Sequence, residues 1–106
     1  MNTVFKALSD PTRREVLTLL RDGPKSAGEI SAEFAVSKPT MSAHFAVLRE
    51  AGLVRSEKQG KAVIYQLQMS VLEDAVFGFT NMFGLSPAEA QSNPETLNRK
   101  GSENDQ

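Results

Sequence analysis

The stretch from Ser26 to Gly52 restricts what this chain can fold into more than any other part of it. Ser26 and Glu29 stand three residues apart, the spacing at which a serine caps a helix start and a glutamate reaches back to the serine's own N–H. Ile30 and Phe34, at i and i+4, predict one buried face of a helix of about nine residues. Only Ala35 and Val36 intervene before Ser37, a second capping residue, and Pro39 falls in the next first turn, where proline is tolerated. Met41, Phe45 and Leu48 recur at i, i+4 and i+7, which predicts the buried stripe of a helix ending near Glu50. Gly52 then supplies the left-handed residue that a helix terminus needs. Two short helices joined across so tight a connection describe a helix-turn-helix.

The flanks extend this unit. Val4 to Leu8 is a short apolar helix candidate, and Asp10 followed by Pro11 is a strong start for a helix to about Leu20. Val16, Leu17, Leu19 and Leu20 mark its buried side, with Arg13, Arg14 and Glu15 outside, and Asp22-Gly23-Pro24 stops it. Downstream, Leu53–Gln59 and Lys61–Leu67 read as two strands about a Gln59-Gly60 turn, the second rich in strand formers at Val63, Ile64 and Tyr65. A last helix is expected from Val71, where Leu72, Ala75, Val76, Phe79, Met82 and Phe83 keep helical spacing. Phe77 lies off that stripe, so this helix is expected to bury two faces. From Ser86 onward apolar residues are too sparse to order a segment. The expectation is a mainly α fold with a small β-hairpin: a dimeric winged helix-turn-helix of five helices and a two-stranded wing over residues 1–85, followed by a disordered tail over 86–106.

Charge and composition narrow the function. Among 106 residues the net charge is −1, yet residues 1–67 carry ten basic and seven acidic residues, while 68–106 carry two and six. The body is thus mildly basic, and local phosphate contacts rather than the total charge decide nucleic-acid affinity. No run of about 18 apolar residues and no basic-then-apolar leader is present, so neither membrane insertion nor export is expected, and a cytoplasmic location is. With no cysteine and one histidine, no thiolate or zinc site and no cofactor is expected. Ser42 and His44, two apart on one helix, point to different sides and cannot form a nucleophile–base pair, so no enzyme is expected.

With Met41, Phe45 and Leu48 turned inward, the second helix of the motif presents Lys38, Thr40, Ser42, Ala43, His44 and Val47 elsewhere. Such a helix enters the DNA major groove by its N-terminal part. Lys38 can donate to guanine or phosphate, Thr40 and Ser42 can donate or accept, a methyl can pack on thymine, and His44 can donate to a phosphate or base edge. Ser37 and the N–H groups beside it can hold a phosphate. Arg55, Lys58 and Lys61 surround the hairpin turn, where a wing would lie on the DNA backbone. Each of these residues alone could be an ordinary solvated surface residue. The alternative function, a protein-interaction module of the same fold that has lost DNA binding, would show acids at these positions, and only Glu57 does. Val4, Phe5 and Leu8 of the first helix, with Leu72, Val76, Phe79, Met82 and Phe83 of the last, are the candidate dimer interface.

Four runs together resemble the ArsR/SmtB repressor family: Phe5–Arg14, Ser37–Phe45, Leu48–Val54 and Gly60–Tyr65. The resemblance covers about residues 3 to 85 in one continuous order. The resemblance implies a homodimer joined by its first and last helices, double-stranded DNA with an inverted-repeat operator as partner, and repression relieved by a signal. It attaches DNA contact to Ser42 and His44. A protein or small-molecule anti-repressor is compatible with the sequence, which specifies neither. Metal-sensing members carry a cysteine box in the first helix of the motif, absent from residues 27–34 here, or histidine-bearing pairs on the last helix. That helix offers only Glu73 and Asp74, adjacent carboxylates that point apart and are better explained as first-turn acids favoured by the helix dipole. The chain therefore resembles the metal-blind, SdpR-like autorepressor branch of the family.

Overall fold

The computed structural model describes residues 2–85, so the expectation for 86–106 lies outside the described residues. The element order is α1 (Asn2–Leu8), α2 (Pro11–Leu20), β1 (Lys25–Ser26), α3 (Ala27–Ser31), α4 (Lys38–Glu50), β2 (Val54–Gln59), β3 (Ala62–Leu67) and α5 (Met69–Met82). The chain divides into two units, Met1–Glu73 and Asp74–Gln106.

Local signals account for most element starts. Asp10 caps α2, its Oδ2 accepting the Arg13 N–H at 3.0 Å, and Pro11 occupies the first turn. Ser26 and Glu29 form both halves of the capping box, with Glu29 N–H to Ser26 Oγ at 3.0 Å and Ser26 N–H to Glu29 Oε1 at 2.8 Å. The Ser26 N–H and hydroxyl bonded to the Glu29 carboxylate hold its pKa below the ordinary value. α4 ends at Gly52, φ 76°, where Gly52 N–H bonds Arg49 O at 2.9 Å and Leu53 N–H bonds Leu48 O at 3.1 Å. This pair of bonds is a Schellman motif, and its positive φ suits glycine.

Several expectations require correction. α3 has five residues, not about nine. After Ser31 the backbone tightens, with Glu33 N–H to Ile30 O and Phe34 N–H to Ser31 O, so the helix closes early in three-residue turns. A third strand exists: β1 pairs antiparallel with β3 through Lys25↔Tyr65 and Ser26↔Ile64, giving the sheet order β1-β3-β2. The β2–β3 register runs from Val54↔Leu67 to Gln59↔Ala62, so the hairpin turns on Gly60 and Lys61, one residue later than expected, with Gly60 at φ 62°. α5 begins at Met69, two residues early. Glu73 and Asp74 therefore fall in its second turn, and its first turn holds no acid.

Arg13 and Arg14 also depart from a solvated role. Arg13 Nε donates to Ala7 O at 2.9 Å and Arg13 Nη2 to Lys6 O at 2.8 Å, while Arg14 Nη1 donates to Leu8 O at 2.8 Å. The carbonyls at a helix C-terminus have no partner within the helix, and these two guanidinium groups satisfy three of them at the end of α1.

The core of the first unit gathers Val16, Ile30, Met41, Leu48 and Leu53, all fully buried, with Phe45 and Tyr65 beside them. The Phe45 and Tyr65 rings stack at 4.4 Å and 18°, which joins α4 to the central strand of the wing. Arg49 Nη1 donates to the Tyr65 hydroxyl at 3.0 Å, so the phenol oxygen is satisfied at the edge of the core.

Candidate nucleic-acid interface

The buried stripe of α4 fixes which side chains remain outside. Ser37, Lys38, Thr40, Ser42 and Ala43 are exposed, as the sequence indicates. Ser37 serves first as the cap: its Oγ accepts the Thr40 N–H at 3.3 Å and its hydroxyl donates to Thr40 Oγ1 at 2.9 Å. Lys38 and Ser42 border a cleft of about 380 Å³ between α3, α4 and β3, with Phe45 and Tyr65 among its lining, so the start of α4 stands next to the return strand of the wing.

His44 is placed differently from its expected position. Its side chain is only 14% exposed. Nδ1 lies 3.2 Å from Arg13 Nη1, and Nε2 lies 3.9 Å from Asp10 Oδ2. The imidazole therefore faces the start of α2 rather than the open side of α4. The bonded Arg13 backbone N–H holds the Asp10 carboxyl below its ordinary pKa, against the opposing effect of desolvation.

The wing carries Arg55, Lys58 and Lys61, all exposed. Arg55 reaches across the hairpin, Nη2 donating to Gln66 Oε1 at 3.1 Å, its register partner. Side chains alternate along a strand, so Arg55 shares a face with Glu57 while Lys58 points to the other. Lys61 sits in the turn. Among the described residues Lys38, Arg55, Lys58 and Lys61 make no ion pair. Sequence reasoning missed Arg13 and Gln66, because a basic or amide side chain with helical or strand neighbours carries no signal of its distant partner.

The candidate dimer residues divide. Val4, expected at the dimer interface, is 7% exposed and packs into the core of the single chain. Phe5, Leu8 and Leu72 are half-buried. On α5, Val76 and Phe79 are exposed, and Met82 and the residue after the helix, Phe83, each keep 63% of their surface. Phe77 and Leu85 are exposed as well, so the apolar face is wider than the expected stripe. Phe79 and Phe83 lie with ring centroids 4.9 Å apart. Among the described residues no three metal-ligating side chains converge, and no helix is long and apolar enough to cross a membrane.

Comparison with known proteins decides the family. Residues 10–56 match the bacterial regulatory protein, arsR family. The transcriptional repressor SdpR of Bacillus subtilis (strain 168) is 43% identical over 76 residues, which cover 72% of this chain and 84% of that protein. The chain belongs to the ArsR family. An arsenical resistance operon repressor of Staphylococcus aureus is 37% identical over 72% of this chain and 73% of its own length. Among solved structures, an ArsR-like transcriptional regulator from Rhodococcus sp. RHA1 superposes with a TM-score of 0.68 at 32% identity, covering 76% of each chain. A homodimeric winged helix-turn-helix DNA-binding domain from Mycobacterium bovis, 23% identical with a TM-score of 0.60 over 76% of this chain and 80% of that one, has the same fold. These ArsR-family relatives are transcriptional regulators, not enzymes. In this ArsR-family chain α3 and α4 form the helix-turn-helix and β2–β3 the wing.

Proposed function

We propose that this chain is a sequence-specific repressor that binds an inverted-repeat operator as a homodimer. The observation that carries the reading is the exposed start of α4 beside a wing whose lysines lack acidic partners. Lys38, Thr40, Ser42 and Ala43 meet base edges, with Ser37 and its neighbouring N–H groups at the phosphates. Arg55, Lys58 and Lys61 hold the flanking backbone. Two relatives that bear the name repressor support the sense of the regulation. An operator ahead of the chain's own gene would make the repression autoregulatory.

Dimerisation runs through the apolar face of α5 and the residues that follow it, where Val76, Phe77, Phe79, Met82, Phe83 and Leu85 are exposed. Contiguous apolar surface of this kind marks an interaction site. The homodimeric Mycobacterium bovis domain of the same fold supports a two-fold arrangement. Two-fold symmetry then sets the half-sites about one helical turn of DNA apart, or a multiple of that. DNA binding and dimerisation reside in residues 1–85.

Fluorescence anisotropy with an operator duplex and a random duplex, at one fixed salt concentration, tests the reading. The expected result is an operator preference on the order of 10³ or more. Equal affinity for both duplexes would refute sequence specificity, and no binding to either at low salt would favour the interaction-module alternative.

A further inference from the structure

We propose that Arg13 and His44 bolt the end of α1 to α4, so that His44 serves DNA recognition by positioning the helix and not by touching a base. The proposal rests on the reading of α4 as the DNA-reading helix. Arg13 spends its planar fork on three partners in two elements: Lys6 O and Ala7 O at the end of α1, and His44 Nδ1 on α4 at 3.2 Å. A guanidinium can only donate, so Nδ1 of His44 must accept. The contact therefore takes the tautomer with its proton on Nε2, and Nε2 lies 3.9 Å from Asp10 Oδ2. Nδ1 is thereby occupied at the α1–α2 corner, and Nε2, on a side chain only 14% exposed, faces the same corner. Asp10 is itself fixed by capping α2. A shift of α4 would therefore strain the end of α1 and the start of α2 together. This differs from the base-contacting role that the family resemblance attaches to position 44.

The chain has one histidine, so its imidazole gives the only histidine ring signals in a nitrogen-15 NMR spectrum of the full protein. The expected spectrum shows the Nε2–H tautomer in the free protein, and Arg13→Ala releases it to a mixture. In operator titrations His44→Ala should weaken binding about tenfold, by the loss expected for one coupled contact. His44→Asn, whose side-chain oxygen can accept from Arg13 in place of Nδ1, should recover most of that loss. Arg13→Ala with His44→Ala should cost no more than the worse single change. Across a set of operators altered one base pair at a time, the His44 variants should lower every affinity by the same factor. Thermal melting identifies any variant that loses its fold, and His44→Asn with Arg13→Lys then carries the comparison. A dominant Nδ1–H tautomer, additive effects of the two alanines, or loss of discrimination at a single base pair on His44→Ala would each overturn the bolt. Absence of operator preference in the unaltered protein would instead refute the DNA-binding reading, and the tautomer would still report on the bolt.

Discussion

Phe83→Ala removes the most exposed aromatic ring described, one residue past the end of α5. Phe83 keeps 63% of its surface exposed in the single chain. A phenylalanine presents roughly 200 Å², so about 125 Å² of ring stands ready for cover. At about 25 cal/mol per Å² its full burial contributes about 3 kcal/mol. A two-fold interface contains the ring twice, which raises the ceiling to about 6 kcal/mol, or about 10⁴ in a dissociation constant. Association also immobilises side chains, so the predicted rise in the dimer dissociation constant is on the order of 10² to 10⁴. Phe83→Asp places a carboxylate in the same contact and should leave monomers at all working concentrations. Sedimentation equilibrium over a dilution series reads both. Val36→Ala, at a residue 40% exposed in the turn of the helix-turn-helix, is the control and should leave the constant unchanged. If Phe83→Ala and Met82→Ala both move it less than threefold, α5 is not the interface.

Lys58→Ala and Lys61→Ala should weaken operator and random DNA alike and make the salt dependence shallower by about one ion each, as measured by anisotropy at several salt concentrations. Ser42→Ala should lower operator affinity by roughly 1–3 kcal/mol and random-sequence affinity much less, in the same assay. Asp10 and Glu29 have folded pKa values lowered from 3.8 and 4.5, so the stability they add is complete above those values and lost as pH falls through the lower folded ones. Chemical denaturation should accordingly show the advantage of the wild type over an Asp10→Asn, Glu29→Gln variant shrinking as the medium is acidified, and a constant difference would contradict it. Gly52→Ala should cost about 1 kcal/mol in the same experiment from its positive φ alone, since the nearest atoms to an added Cβ, on Val71, lie at an ordinary 3.9 Å.

The sequence carried the parts of this molecule that depend on neighbours three or four residues away. Asp10, Ser26 with Glu29, and Ser37 each cap the helix they were expected to cap, and Met41, Phe45 and Leu48 are the buried stripe of α4. Gly52 closes that helix as expected. Features set by partners far along the chain were not legible. β1 is two residues long, too short to show any period, and exists only because β3 offers it an edge. His44 lies off the stripe by spacing alone, yet Arg13, 31 residues away, draws it inward. Arg13 itself has the look of a solvated cation until the open carbonyls of α1 are counted. Val4 shares its apolar character with Phe5 and Leu8, and only packing separates the buried residue from its half-buried neighbours.

The most direct test of the central claim is selection of duplexes from a random-sequence pool by the full-length protein, followed by sequencing of the bound fraction. The account predicts an enriched motif with two-fold symmetry, its half-sites about one helical turn apart or a multiple of that, bound on the order of 10³-fold or more tightly than the starting pool at the same salt concentration. A bound fraction with no enriched motif, or an enriched motif without two-fold symmetry, would contradict it.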